Sequence, residues 1–540
     1  MTFRMIGLML LSAMVFTACK KSNKQGRYIP ENASMVVHIN GATISEKLPW
    51  DEVKKGPAVQ KILNDSSVDA FVRSIFNNPD ESGLQTKGDI LFFIQSDSLG
   101  GYGVMQASVL DGAKVAAIAK KIEGAKTTEA NGITTVVADK AVMQWDKEKC
   151  MVAYDIPEMN NSNAYSFDVD EEENQVVKPG RNMAITVQNL FNLKEDASLA
   201  GHDKFTTLMN EKGDVHFWLN NEALMGNNPE LSQIGGIVKF DKFYKESYQT
   251  ATIRFENGKI EADLMGYMSK EMNDLMKKYE GKNISRSMAE RMPAENIAVY
   301  MGMNFKPELI REFIKLAGIE GFVNMGLGMS GISMDDLMGF STGEFALGVF
   351  DIPAPDTSNI FSSQEPTILF AAEIKDKDAT NRMLNAMKKM MGSDESLTMI
   401  TKDNMLAMSN KKSGADAFLK GSGGKATYFD QIANSTFGLY IDLKYILRSI
   451  PVSKSDSLDM AIQQYNVAMW DKVIVNDVKH KKGGLHQHAE VRMQDTQVNS
   501  LKQLNALLNQ IVLWEEARKA RYASMDEWDF SDDVAVEVAP

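Results

Sequence analysis

Two histidines and a glutamate alternate along one predicted strand near the C-terminal end of the chain. His486, His488 and Glu490 are each separated by one residue, and side chains two apart in a strand project from the same face. Two imidazoles and a carboxylate are ligands that zinc or copper accepts. Neighbours on a single strand complete only part of a coordination sphere, so these residues are a weak candidate metal site, with an ordinary strand as the alternative.

The two cysteines of the chain stand in different surroundings. Cys19 follows Phe16-Thr17-Ala18 at the end of an apolar segment, a sequence that resembles the lipobox of bacterial lipoproteins, in which the thiol accepts a diacylglycerol group. Cys150 lies in the stretch Lys149–Tyr154, which is typical of a strand. It could be a reactive thiol, but its surroundings favour a small buried hydrophobic residue.

Other motif-like stretches lack the context that their usual chemistry needs, and the chain has no His-Glu-x-x-His, Cys-x-x-Cys or Gly-x-Ser-x-Gly. Gly326–Gly331 matches Gly-x-Gly-x-x-Gly, but no crossover helix fits before the strand predicted at Phe345–Phe350, so we interpret it as an apolar turn. Lys420–Thr427 has Ala426 where a phosphate loop needs a hydroxyl, which favours a linker. Asp168–Glu173 lacks a calcium-loop pattern and predicts a solvated loop. The sequence therefore predicts no catalytic residue and no cofactor, and it favours a non-enzyme.

The N-terminal segment has the layout of an export signal. Arg4 supplies the positive charge, and Met5–Val15 is an apolar run shorter than the roughly 18 to 20 residues that span a bilayer. We predict a signal peptide over residues 1–18, cleavage before Cys19, acylation of its thiol by chains such as palmitate, and a lipidated tether over residues 19–26. An ordinary signal peptide that ends by chance at a cysteine is the alternative.

The distribution of charge in the chain limits where the protein can be located and which partners it can bind. Signals that retain lipoproteins at the inner membrane or send them to the cell surface are acidic, whereas Lys20–Gly26 is basic and polar, which favours the outer membrane with the protein facing the periplasm. The chain has 59 basic and 72 acidic residues, and loss of Arg4 leaves a net charge of −14. Such a surface repels nucleic acid and anionic headgroups. Lipid on Cys19 then supplies membrane attachment, and a protein or an apolar ligand remains as a possible partner.

Methionine is abundant, at 35 of 540 residues. Clusters occur over residues 325–334 and 387–391. Because the thioether side chain is flexible and polarizable, helices that carry these clusters could line an apolar groove. Filling of an irregular core is the alternative.

One segment type occurs four times: a short apolar strand, a polar or glycine junction, and the start of a helix. The copies are Met35–Asn40, Val215–Asn220, Ile297–Gly302 and Phe437–Asp442. Asn or Asp at the junction suits a helix N-cap. The surroundings of the first and third copies are alike, as are those of the second and fourth, which indicates the order A, B, A, B.

Each B unit continues into a predicted hairpin. Asn257-Gly258 between alternating strands is a strong hairpin signal, and Val473–Val478 and Leu485–Met493 form the second hairpin. The first hairpin offers Lys259, Glu261 and Asp263 where the second has its histidines, which argues against a metal site shared by both. His38 and His216 lie in the first two repeat strands. They are interpreted as strand histidines whose ring nitrogens are satisfied by hydrogen bonds within the protein.

The repeats predict two similar lobes that arose by internal duplication, over residues 27–285 and 286–525. Each is expected to be α+β, with a mostly antiparallel sheet packed by helices. Residues 526–540 are predicted to be an acidic flexible tail.

Segments around the first repeat carry a family resemblance. They are Tyr28–Val37, Lys47, Pro79–Leu84 and Ile90–Ile94, together with the lipobox. The combination resembles a family of Bacteroidota lipoproteins, the domain of unknown function 4836, closely over the first unit and in layout only beyond it. The resemblance implies an envelope lipoprotein and assigns no catalytic residue.

The sequence as a whole predicts a non-catalytic binding or structural protein anchored to the outer membrane. One alternative is a periplasmic carrier or sensor of an apolar ligand such as lipid, which requires a cavity of several hundred Å³ under the methionine-rich helices. The other is a hydrolase with a site between the lobes, which requires convergent polar groups with shifted pKa values.

Overall fold

The computed structural model of the chain describes residues 24–526, apart from 69, 98, 123, 139–140, 157–179, 227–235, 237, 295, 354–364, 392–395, 422, 453–455 and 482. The predicted signal peptide, Cys19, the acidic stretch Asp168–Glu173 and the tail after residue 526 lie outside the described residues.

Eighteen antiparallel strands form one sheet in the described part of the chain. The strands are β1 Met35–Asn40, β2 Asp89–Asp97, β3 Gly100–Ser108, β4 Lys126–Ala130, β5 Ile133–Ala138, β6 Ala141–Trp145, β7 Lys149–Ile156, β8 Val215–Asn220, β9 Tyr248–Glu256, β10 Lys259–Tyr267, β11 Ile297–Asn304, β12 Glu344–Phe350, β13 Thr367–Glu373, β14 Thr398–Lys402, β15 Met405–Ser409, β16 Phe437–Asp442, β17 Trp470–Lys481 and β18 Gly484–Met493. The predicted hairpin turn at Asn257-Gly258 forms between β9 and β10, with Gly258 at φ 67°.

The two halves of the sheet have the same strand order. In the first half the order is β6–β7–β3–β2–β1–β8–β9–β10, and β4 and β5 extend it beyond β6. In the second half it is β14–β15–β13–β12–β11–β16–β17–β18. The halves meet where β10 pairs with β18, which we call the seam.

The predicted α+β class with an antiparallel sheet is confirmed. The equal strand order of the two halves supports an internal duplication, which stays a prediction. The positions of the lobe boundaries also stay a prediction. The seam joins both predicted lobes into one sheet.

Helices connect and cover the strands. They are α1 Gly41–Lys47, α2 Trp50–Lys54, α3 Pro57–Asn64, α4 Ala70–Asn77, α5 Gly112–Ala119, α6 Met183–Phe191, α7 Asp203–Met209, α8 Asn221–Met225, α9 Asp241–Tyr244, α10 Lys270–Lys278, α11 Arg286–Glu290, α12 Glu308–Leu316, α13 Glu320–Met329, α14 Met334–Gly339, α15 Lys377–Met391, α16 Lys412–Lys420, α17 Leu443–Ser449, α18 Ser457–Met469 and α19 Ser500–Asp526. Within the described ranges, no helix combines the length and the apolar character that crossing a membrane requires.

The predicted N-caps form at the three repeat junctions that carry Asn or Asp. Asn40, Asn220 and Asp442 each accept a hydrogen bond from the backbone N–H three residues later, at 3.2, 3.1 and 2.8 Å. The third copy ends at Gly302, where no cap was predicted, and β11 continues past it to Asn304. The Asn304 side chain instead accepts from the backbone N–H of Lys282.

The predicted turn at Gly326–Gly331 is wrong, because most of it is the last part of α13. Only Gly331 has a positive φ, at 75°, and the N–H of Ile332 then bonds back to the carbonyl oxygen of Leu327. Without β-carbons at three positions the helix is intrinsically weak, yet this closing bond satisfies an orphan carbonyl at its end.

One face of the sheet, which we call the core face, carries two separate hydrophobic cores. In the first half, Val36 of β1 lies between Phe93 and Trp218 on the neighbouring strands, and α6 and α7 cover them. In the second half, Tyr300 and Phe350 lie under α16 and the turn that follows it. The opposite face carries α5 in the first half, and α12, α14 and α15 in the second.

The long helix α19 ties the two halves together. Its Asn509 side chain accepts a hydrogen bond from the N–H of Ala58 in α3, at 3.2 Å. Farther along, Arg518 pairs with Asp459 in α18, at 3.0 Å. The final helix therefore contacts elements of both halves.

Candidate functional site

The histidines and glutamate of the candidate metal site lie at the seam, on the core face. His488 Nδ1 lies 2.9 Å from Asp263 Oδ1 on β10, and His488 Nε2 lies 3.3 Å from Glu490 Oε1. The Arg492 side chain donates to the other oxygen of Glu490, at 2.7 Å. Both ring nitrogens of His488 are therefore already engaged.

The structure changes the candidate ligand set. Ligand atoms of Glu261, His488 and Glu490 lie within 4.8 Å of one another, because Glu261 stands directly opposite Glu490 in the β10–β18 register. His486 is directed elsewhere: its Nε2 lies 3.4 Å from Asp263 and its Nδ1 3.2 Å from Asp477. Two of the three predicted residues converge, and the third member comes from the other half of the sheet.

Hydrogen bonding to Glu490 and Asp263 raises the pKa of His488 to about 9, and the same contact with His488 lowers the pKa of Glu490 to about 2. Lys259 binds Glu261, and the Arg254 side chain donates to Asp263 at 2.6 Å. A divalent cation would have to displace both a proton from His488 and the Lys259 ammonium group. The arrangement is a network of paired opposite charges, and a protonated imidazole cannot act as a general base at neutral pH.

A second pair of histidines is buried on the core face of the first half. His38 Nδ1 lies 2.9 Å from His216 Nδ1, and His38 Nε2 lies 3.1 Å from Asp89. His216 Nε2 lies 3.0 Å from the carbonyl oxygen of Glu211. Burial lowers the pKa of His216, and these contacts agree with the interpretation of both residues as satisfied strand histidines.

Cys150 belongs to a hydrophobic core. It is 2% exposed and packs in the cluster that contains Val115, Val136 and Trp145. Burial raises the pKa of its thiol to about 12, so the nucleophilic thiolate is scarce at neutral pH. The residue acts there as a small hydrophobic side chain.

An apolar pocket of about 300 Å³ lies in the second half, between the sheet and α12, α14 and α15. We call it the Met pocket. Its lining residues are Pro307, Ile310, Leu337, Phe340, Ser341, Phe345, Phe370, Met383, Met387 and Met408. The hydroxyl of the fully buried Ser341 accepts from the N–H of Gly343, at 3.0 Å, so the one polar side chain of this lining is engaged.

The positions of these side chains along the strands and helices direct them into the Met pocket. Phe345 of β12 stacks on Phe370 of β13 with ring centroids 5.9 Å apart, which forms an aromatic floor. Met383 and Met387 stand four residues apart on α15 and therefore share one face of that helix. The floor and the helix face enclose a volume within the range of ligand pockets.

The predicted methionine clusters are only partly in this pocket. Met387 lines it, whereas Met390 is 69% exposed, and Met325 and Met329 of α13 also face solvent. Met383 and Met408 were not predicted as lining residues. The spacing of Met383 and Met387 was the available signal, and the contribution of Met408 required knowledge that β15 pairs with β13.

Comparisons with known proteins give no close relative. No family model matches the chain, and no curated protein matches its sequence. Crystal form III of TP0453 matches with 11% identity and a TM-score of 0.26, over 48% of this chain and 88% of that one. Crystal form I matches with 10% identity and the same TM-score, over 49% and 88% of the two chains. The resemblance to the domain of unknown function 4836 stays a prediction.

Proposed function

We propose that this protein is a non-catalytic lipoprotein of the cell envelope that holds an apolar ligand, such as a lipid acyl chain, in the Met pocket. The observation that carries the proposal is a pocket of about 300 Å³ with aromatic, aliphatic and thioether walls. Apolar surface buried from water contributes roughly 25 cal/mol per Å². Such walls therefore favour an apolar chain over water.

The anchor is a separate part of the proposal. Signal-peptide layout and the lipobox-like Phe16–Cys19 support export and acylation of Cys19, and the basic flank supports the outer membrane, facing the periplasm. Replacement of Cys19 by Ala should leave an unprocessed, unlipidated precursor. If the variant still yields mature protein that is labelled by radioactive palmitate, the anchor is not on this cysteine.

The hydrolase alternative required convergent polar groups between the lobes, and the seam network is the nearest match among the described residues. Its pKa shifts run in the wrong direction for acid–base chemistry near neutral pH. A histidine with a pKa of about 9 stays protonated and a glutamate with a pKa of about 2 stays ionised, whereas a general base works best with a pKa near the working pH. The geometry supports ligand binding better.

Filling the Met pocket tests the proposal. Met387→Trp places an indole in the pocket, and Met390→Trp places the same group on the exposed side of the same helix. We expect the full-length protein to bind N-phenyl-1-naphthylamine, an uncharged fluorescent probe, at saturable sites. The Met387 variant should bind it about tenfold more weakly, which corresponds to ~1.4 kcal/mol, and the Met390 variant should match the unmodified protein.

Two results would overturn the proposal. One is a lack of saturable probe binding by the unmodified protein, and the other is equal affinity of the Met387 variant and its control. Native mass spectrometry of the protein from its own envelope should in addition detect a co-purified lipid, and the Met387→Trp variant should lose the lipid that occupies the Met pocket.

A further inference from the structure

A second pocket, of about 350 Å³, lies where the two predicted lobes meet. We call it the junction pocket. Met276, Tyr279, Glu280 and Gly281 contribute from the chain after β10, and the other lining residues come from the second half. These are Met303, Asn304, Phe305, Leu309, Thr436, Phe437, Val478, His480, Leu485 and Gln487.

The junction pocket is separate from the Met pocket. The first turn of α12 lies between them, with Leu309 in the lining of one and Ile310 in the lining of the other. The rings of Phe305 and Phe345, one from each lining, stack between the pockets with centroids 5.4 Å apart. A ligand of the junction pocket therefore does not depend on the function proposed for the Met pocket.

The walls of the junction pocket are largely apolar. Met276, Met303, Phe305, Phe437 and Leu485 supply methionine, aromatic and aliphatic surface. An apolar cavity of about 150 Å³ already holds benzene in place of water, and this pocket has more than twice that volume. It has the room and the surface for part of a hydrocarbon chain.

His480 and Glu280 give the same pocket a polar element. The His480 side chain is only 11% exposed, and its Nδ1 lies 3.5 Å from Glu280 Oε1. Both ring nitrogens are buried and neither has a hydrogen-bond partner of normal geometry within the described structure. A buried polar atom without a partner costs about 1 to 3 kcal/mol, so a ligand group that bonds to the imidazole gains from satisfying it.

The charges around His480 select the kind of headgroup. The lining contains the carboxylate of Glu280 and, among its described members, no lysine or arginine, so an anionic carboxylate or phosphate meets repulsion. An ammonium group can donate to Glu280 and to the unprotonated imidazole nitrogen, but it has no lone pair and therefore leaves the imidazole N–H without a partner. A hydroxyl can accept from His480 and donate to Glu280 at the same time.

We propose that the junction pocket binds a single-chain amphiphile with an uncharged, hydroxyl-bearing headgroup, of the monoacylglycerol or fatty-alcohol class. The hydroxyl bonds to His480 and Glu280, and the hydrocarbon chain lies against Phe305 and Phe437.

Titration of the full-length protein with three ligands of equal chain length tests this assignment. We expect 1-monolauroylglycerol to bind at least about tenfold more tightly than laurate or dodecylamine. His480→Leu should remove most of that preference, and Lys479→Leu, a change at an exposed neighbour on the same strand, should retain it. Met387→Trp should retain it as well, since Met387 lines the other pocket.

Glu280→Gln supplies a second measurement that does not require removal of the histidine. Loss of the carboxylate should raise laurate affinity about threefold or more, because the repulsion is relieved, and this result decides the matter if His480→Leu does not fold. Equal binding of laurate and 1-monolauroylglycerol by the unmodified protein would overturn the proposal. Tightest binding of dodecylamine, or unchanged binding by the folded His480 variant, would overturn it too.

Discussion

Helices α5 and α15 occupy matching places in the two halves of the sheet, yet one covers a filled core and the other a pocket. Both begin after an aspartate, Asp111 or Asp376, whose side chain accepts from the backbone N–H groups two and three residues later. Both pack on the face opposite the core face, α5 over β5, β6 and β7 and α15 over β13 and β15.

One side chain accounts for part of the difference. Trp145 stands opposite Cys150 and fills the space under α5 at 5% exposure. The matching position in the second half is Thr401, opposite Leu406, and a pocket of about 190 Å³ lies beside it. Two regions with the same strand order can therefore be filled or can leave a pocket, depending on the volumes of a few side chains, and the Met pocket also lies under α15.

Removal of the large Trp145 side chain from the core under α5 should have the strongest effect on stability. Trp145→Ala should lower the free energy of unfolding by about 3 to 5 kcal/mol, the usual cost of a large-to-small change in a packed core. Urea denaturation measures it. Leu110→Ala is the control, since Leu110 lies just before α5 but is 76% exposed, and it should change stability by less than about 0.5 kcal/mol. Equal effects of the two changes would show that the region under α5 is not a tight core.

The reactivity of Cys150 reports whether the core under α5 is closed to reagents. In a Cys19→Ala background, Cys150 should resist iodoacetamide at pH 8, because burial keeps its pKa near 12 and blocks access. The added Trp145→Ala change should accelerate alkylation at least about tenfold by admitting the reagent. Mass spectrometry of time points gives the rates. Rapid alkylation of folded protein that retains Trp145 would contradict the core position of this thiol.

The smallest expected effect concerns the seam that joins the two halves. The folded-state pKa of His488 is raised to about 9, so its contribution to stability is complete below the unfolded pKa of roughly 6.5 and is lost as the pH rises through 9. The contribution should be about 1 kcal/mol, as for a partly exposed ion pair.

Thermal unfolding from pH 6 to pH 10 measures this contribution. The unmodified protein should lose stability relative to His488→Gln over that range, and the two proteins should converge near pH 10. A constant difference between them at every pH would mean that His488 contributes through packing, without titration.

Much of the frame follows from local sequence signals. The Asn257-Gly258 dipeptide turns a hairpin, and Asn40, Asn220 and Asp442 cap helices where their type and position predict caps. These outcomes need only short-range geometry, since a cap bonds to an amide three residues away. Covering elements such as α6 and α16 were missed, because their packing partners are distant in the chain.

The candidate metal site shows where local reasoning stops. Alternation along β18 correctly places His486, His488 and Glu490 on one face, but the nearer partner of His488, Asp263, comes from β10, more than two hundred residues earlier. The first hairpin residues Glu261 and Asp263 looked like replacements for the histidines in a separate lobe. Asp263 instead stands directly opposite His488, and Glu261 stands opposite Glu490.

The α+β class and the four repeated strands follow from the sequence alone, because hydrophobic periodicity and capping act over a few residues. Tertiary structure decided that the halves share one sheet, that the charges at the seam neutralise one another, and which methionines face a pocket. Pockets are gaps between side chains from distant segments, and the volume left between those segments depends on packing that no single stretch encodes.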